Sequence, residues 1–255
     1  MRTAAKIAAL LGGLVALAAI TNVRSGGLVE PEFDLADFST PLLIDNAYWP
    51  LLPGGRVIYF EESADECIVN EVLVTSRAKN DFHGVYAGLA ARVVLDREWL
   101  DEDCDGGRDV LLESTFDWHA QDDDGNIWYL GEDTTEFLYD DEGEFLGTTK
   151  EGSWQAGEDG AVAGLIIPAR PSPGAFYQQE LYEDVAEDAA KIIGVNRIVT
   201  TALGTFDGCI ITKEWSPLSP GSIEHKHYCP DFGLVLIKQF GGKTTVVEAV
   251  DIDLP

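Results

Sequence analysis

The stretch Asp117–Asp133, D-W-H-A-Q-D-D-D-G-N-I-W-Y-L-G-E-D, sets aromatic residues on both sides of an Asp-Gly-Asn turn. Strongly β-forming arms around a residue that accepts positive φ specify a β-hairpin. Asp124-Gly125 is expected to supply the positive φ of a tight primed turn. The same grammar repeats from Arg56 onward, where runs such as V-I-Y-F, I-V-N-E-V-L-V and V-L-L-E-S-T-F-D-W alternate with Gly, Asp and Asn clusters. This spacing predicts an antiparallel meander, with D-D-E-G at Asp140–Gly143 as a second turn of the first type. The expected fold is all-β: an antiparallel, strongly curved sheet or barrel with a minor helix. A single β domain over residues 56–255 follows an irregular lead-in over 26–55 that carries the aromatic pair Tyr48-Trp49. Between Tyr177 and Gly194, E-D-V-A-E-D-A-A-K-I-I has helix-forming composition between strand-like flanks; it reads as a strand with a short helical alternative.

Residues 1–25 follow the pattern of an export signal, with Arg2 and Lys6 ahead of an apolar run from Ile7 to Ile20. That run is too short to span a bilayer comfortably. The T-N-V-R-S-G-G that follows offers no clean cleavage site, so an uncleaved N-terminal anchor is the alternative. Either way the body is expected to be extracytoplasmic, periplasmic or secreted. With 45 acidic against 17 basic residues the net charge is −28, which removes nucleic acid and anionic membrane surfaces as partners. Four cysteines in an exported chain predict two disulfides. A hairpin closed at S-P-L-S-P-G sets Cys209 opposite Cys229, with Ile211 facing His227 and Lys213 facing His225. Cys67 and Cys104 then pair by elimination.

Asp101, Asp103, Asp105 and Gly106 form D-x-D-x-D-G, a spacing that sets alternate carboxylates around one calcium ion, and Asp109 occupies a further ligand position. Leu112 stands where a helix-loop-helix site has its bidentate glutamate, so the loop belongs to another context or is a solvated acidic loop. Asp122 and Asp124 resemble the middle of the same pattern but fit a hairpin turn better. In E-H-K-H-Y-C, His225, His227 and Cys229 share one strand face, a zinc or copper half-site that loses its thiolate if Cys229 is bridged. Solvated histidines are the plain alternative. Asp117 with Glu132, near Trp118 and Trp128, is the candidate catalytic pair of a hydrolase of carbohydrate or ester, although so acidic a chain brings carboxylates together by chance. No nucleophile elbow, phosphate loop or dinucleotide fingerprint is present.

The run D-W-H-A-Q-D-D-D-G-N-I-W-Y-L-G-E, with E-G-S-W-Q-A-G-E-D-G-A and H-K-H-Y-C-P-D-F-G-L-V downstream, resembles an uncharacterised family of exported bacterial β-proteins. Its signature is D-W-x-A-Q-D-x-x-G-N-[IV]-W-Y-x-G-E, and the likeness runs from Ile44 to Val235. It implies an extracytoplasmic all-β fold and assigns no activity. G-T-F-D-G-C and Y-C-P-D-F-G-L-V are similar to periplasmic sheet proteins related to lipoprotein carriers, which implies a curved, half-open sheet of calycin-like or lipoprotein-carrier-like form. The leading expectation is a non-enzymatic exported binding protein with a small ligand and a structural calcium site. The alternatives are the hydrolase and a zinc- or copper-handling protein.

Overall fold

Fifteen strands among the described residues join in one antiparallel sheet. The computed structural model describes residues 32–63, 66–241 and 244–255, so the expected export signal lies outside the described residues. Strands β1 (Arg56–Glu62), β2 (Cys67–Lys79), β3 (Ala91–Asp101), β4 (Val110–Gln121) and β5 (Ile127–Tyr139) form the meander the sequence predicts. Strands β6 (Phe145–Thr149), β7 (Trp154–Gln155) and β8 (Val162–Ile167) all pair with β5. The second half runs through β9 (Phe176–Gln178), β10 (Glu180–Leu181), β11 (Ala189–Thr201), β12 (Gly204–Trp215), β13 (Ile223–Cys229), β14 (Gly233–Phe240) and β15 (Thr245–Asp253).

Two joints turn this sheet into a barrel. On one side β15 pairs with β1, tying the end of the chain to the start of the meander. On the other, β9 pairs with β11 and β10 with β8, and only Gln179 separates β9 from β10. One interrupted strand thus bridges the two ends of the sheet and nearly closes it. Gly164 in β8 makes that seam fit, because a Cβ there would meet the Gln179 carbonyl oxygen at 2.3 Å and the Gln178 carbonyl oxygen at 2.7 Å.

The lead-in from Phe33 to Gly55 is irregular, with one 3-10 turn at Leu35–Asp37; a second lies at Gly84–Tyr86. Phe33 and Phe38 pack with Tyr86 and Trp128 on the outside of β5, at ring separations of 4.5 to 6.0 Å. Further along, Trp49 turns into the barrel end, edge-on to Tyr228 at 5.5 Å and to His119 at 6.2 Å.

The central hairpin departs from the primed turn. Asp122 pairs with Asn126 and the Gly125 amide donates to the Asp122 carbonyl, and of Asp124 and Gly125 only the glycine has positive φ, at 94°. The result is a three-residue loop with a glycine bulge. Its cause is the Asp122 carboxylate, which accepts from the Asn126 amide at 2.8 Å, the Asn126 side chain at 2.7 Å and Trp128 Nε1 at 2.9 Å. Asp140 closes the second hairpin in the same way over Gly143. The helical alternative between Tyr177 and Gly194 does not form: Tyr182 bridges to Ala186 in a turn, and Ala189 and Ala190 are claimed by Gln178 and Tyr177 in the sheet. Both disulfides form as paired from the sequence, Cys67–Cys104 and Cys209–Cys229, with Ile211 opposite His227 and Lys213 opposite His225.

Gly164→Ala forces the seam apart and is expected to lower the unfolding free energy by about 1–3 kcal/mol, as overpacking does. A denaturant melt checks this against Gly143→Ala, a site of positive φ with open space around it, which costs about 1 kcal/mol. Equal losses in the two variants would show that the seam is not closed as described.

Candidate functional site

The acidic loop after β3 is held from three directions. Asp101, 1% exposed, accepts from the amides of Asp105 at 3.2 Å and Gly106 at 2.7 Å, and Asp109 accepts from the Glu102 amide at 2.8 Å. Cys104 is bridged to β2, and Glu71 on the same strand binds Arg97 and Arg108. Burial pushes the Glu71 carboxyl up, but the two arginines outweigh it and the net shift is downward. Oxygens of Asp101, Asp103 and Asp109 come within 4.8 Å of one another, the sole such three-residue group among the described residues; Asp105 is outside it. Asp103, fully exposed, is raised chiefly by repulsion from Asp105.

Strand alternation separates E-H-K-H into two faces. His225 and His227 point away from the barrel interior: His225 packs edge-on to Phe240 at 4.8 Å, and His227 Nδ1 lies 3.2 Å from the Leu236 carbonyl. Burial lowers both imidazoles, and Cys229 is spent in its disulfide. Lys226, between them, points inward.

Asp117 and Glu132 do meet, directly opposite across β4 and β5. The Tyr129 hydroxyl lies 2.7 Å from Asp117 Oδ1 and 3.2 Å from Glu132 Oε2. One phenol proton serves one acceptor, so the pair is best satisfied when one carboxyl is protonated. Burial, then the like charge of Glu132, pushes Asp117 up to about 7, and burial takes Glu132 to about 7. The tryptophans do not share the inward face with Asp117. Trp118, one residue from Asp117, faces the other side beneath Lys79 Nζ at 4.2 Å, and Trp128 is bonded to Asp122. Trp118 lines an outer cleft with Glu132 and Trp154 instead.

Asp117 belongs to a larger feature, a cavity of about 410 Å3 inside the barrel. Inward positions of β1, β2, β3 and β15 give it a wall of Val57, Val72, Val74, Val94 and Val247, and the lead-in adds Trp49. The opposite wall is charged. Lys226 sits 3.0 Å from Glu214 and 3.3 Å from Glu224, and Thr212 and Tyr228 donate to Glu214 at 2.6 and 2.9 Å. Burial lowers the lysine, but the two glutamates outweigh it and hold its charge. Asp96, hydrogen-bonded to Asn70, is pushed up to about 8 by burial and then by Asp117; Glu98 rises to about 7 by burial and then Glu113. Burial also raises Glu180 and Asp188, with the charge of Asp188 adding to the shift of Glu180 and those of Glu214 and Glu224 to the shift of Asp188. His119 is 4% exposed, stacks on Tyr129 at 4.9 Å and leaves Nδ1 without a hydrogen bond. Burial lowers its pKa to about 3, so the ring is neutral.

Of this wall only Asp117 stands among the candidate site residues of the sequence. Glu214, Glu224 and Lys226 carried a signal in the period-2 alternation of T-K-E-W and E-H-K-H, whereas His119, Asp96, Glu180 and Asp188 carried none.

Two solved structures are similar in chain path. One is a protein from Bacteroides fragilis with a YmcC-like fold, thought to be exported, at 12% identity and a TM-score of 0.42 over 82% of this chain and 100% of that one. The other is from Parabacteroides distasonis, thought to be a lipoprotein, at 12% identity and a TM-score of 0.40 over 82% of this chain and 99% of that one. No protein-family model and no curated protein matches the chain.

The buried carboxyls fix a pH dependence. A carboxyl raised in the fold contributes its full stability below its unfolded pKa and loses it as pH rises through the folded value. For Asp96, Glu98, Asp117 and Glu132 that loss spans the range up to about 8. His119, His225 and His227 are depressed and act oppositely, costing stability only below their unfolded pKa of about 6.5. The melting temperature is therefore expected to rise by several degrees from pH about 8.5 to about 6.5, and Asp96→Asn to raise it at the alkaline end and flatten the slope. Thermal melts at the two pH values check both.

Proposed function

We propose that this chain is an exported binding protein whose barrel encloses one small organic ligand. The observation that carries this reading is the interior cavity: about 410 Å3, with an apolar wall facing a charged one. That is the size and make-up of small-molecule sites, in which apolar surface supplies affinity and a few polar groups fix orientation. Two disulfides with no free cysteine suit an oxidising, extracytoplasmic compartment. A small-fragment screen read by methyl NMR tests the reading. Val72, Val94 and Val247 in the cavity are expected to shift with the same fragments, while the exposed Val85 and Val250 stay still. Shifts confined to exposed methyls would contradict it.

The acidic loop supports a structural calcium site as an accessory to that role. Asp101, Asp103 and Asp109 gather their oxygens within 4.8 Å, and Asp103 stands among like charges that a divalent cation would relieve. Millimolar calcium is expected to raise the melting temperature of the chelated protein, by about 2.7 kcal/mol of stability at a hundredfold excess over Kd. Asp103→Ala should abolish the rise, and an unchanged melt in both proteins would reduce the loop to solvated surface charge.

A further inference from the structure

Eight carboxylates and a single lysine line the cavity among the described residues. Lys226 is engaged by Glu214 and Glu224. Asp96, Glu98, Asp117, Glu180 and Asp188 face the same space, and none of them forms an ion pair. An interior of this kind disfavours anions, and a cation placed among these groups is the guest that lets the buried carboxyls ionise. A metal ion does not fit it either. No three cavity carboxylates bring their oxygens within 4.8 Å; the one group that does so among the described residues is the outer loop at Asp101, Asp103 and Asp109. The carboxyl groups are spread along a wall, which suits a cation whose charge is also spread or carried at separated points.

Two further observations identify that cation as organic. His119 lines the cavity, is 4% exposed, and has an unpartnered Nδ1; on a neutral ring, in the appropriate tautomer, that atom accepts a hydrogen bond from an N–H group. Across from the acids, Val57, Val72, Val74, Val94 and Val247 offer a wall for methylene groups, and Trp49 and Tyr129 offer ring surface for an ammonium. We propose that the cavity takes an aliphatic amine of the diamine or polyamine class, its ammonium groups held by Asp96, Asp117, Glu180 and His119 and its methylene chain lying on the valine wall. This rests on the cavity being the ligand site. Lys226 has a defined part in it: it is held between Glu214 and Glu224, so it is not free to pair with the remaining acids, which are left to the guest.

Isothermal titration calorimetry of the full mature protein at physiological salt tests this, with cadaverine, pentanediol and magnesium as probes. Cadaverine is expected to bind one to one. The Asp96→Asn, Asp117→Asn double variant, whose shape is preserved and whose fold is checked by the Val72 methyl signal, is expected to bind at least tenfold more weakly. Asp141→Asn, at an exposed hairpin tip, is expected to bind as the parent does. Equal weakening in both variants, or none in either, would assign binding to the chain's general negative charge and overturn the proposal. Pentanediol shifting the cavity methyls while cadaverine does not would overturn the amine class and leave the cavity reading standing. Magnesium displacing cadaverine stoichiometrically would overturn it in favour of a metal. Failure of cadaverine together with silence of the cavity methyls toward every fragment would remove both readings.

Discussion

Lys226 stands inside the barrel between Glu214 and Glu224, and the charged half of the interior is arranged around it. Those glutamates are direct cross-strand neighbours, a placement that repels unless a cation lies between them. Thr212 and Tyr228 complete the hydrogen bonding of Glu214, so this cluster is satisfied within itself. The consequence reaches beyond the cluster. Among the described residues the one cavity lysine is engaged, so none is left to pair with Asp96, Asp117 or Glu180, and burial raises all three. Asp117 and Glu132 repeat the same like-charge pairing across β4 and β5, with a tyrosine hydroxyl in place of the lysine. Groups of this kind cost the fold stability, and costs retained in a core point toward function.

The barrel makes such an interior possible by closing around it, without a helix layer among the described residues. The β9–β10 bridge against Gly164 and the β15–β1 joint fix the circumference. Trp49 and the rest of the lead-in cover one end. The disulfides act locally: Cys209–Cys229 clamps the hairpin that carries Lys226, and Cys67–Cys104 ties the acidic loop to β2. The loop and the cavity are therefore separate features, one outside the wall and one within it.

Much of the wall was legible because strand periodicity is local. The meander, the hairpin positions, both disulfides and the register of His225 and His227 against β12 all follow from alternation and turn chemistry. The expected primed turn does not form because the Asp122 carboxylate, a side-chain feature, selects a different loop. Alternation also shows that Trp118 cannot share a face with Asp117, although nearness in sequence suggested otherwise. What alternation cannot supply is which face becomes the inside. Asp96, Glu180 and Glu214 are far apart in sequence and meet only because the sheet closes, and in a chain with 45 acidic residues no spacing marks them out. His119 carries no signal in the sequence for the same reason: its neighbours Trp49 and Tyr129 arrive from the lead-in and the next strand.

The central claim is that the barrel holds carboxyl groups that do not ionise at the usual pH. Carbon-13 NMR titration of the side-chain carboxyls in the ligand-free protein measures this directly, residue by residue. Asp96 and Asp117 are predicted to titrate with midpoints above about 6.5, while exposed acids such as Asp141 titrate near about 4. Midpoints below about 5 for both would contradict the account, since the interior would then be solvated like the surface and would hold no poised acidic wall.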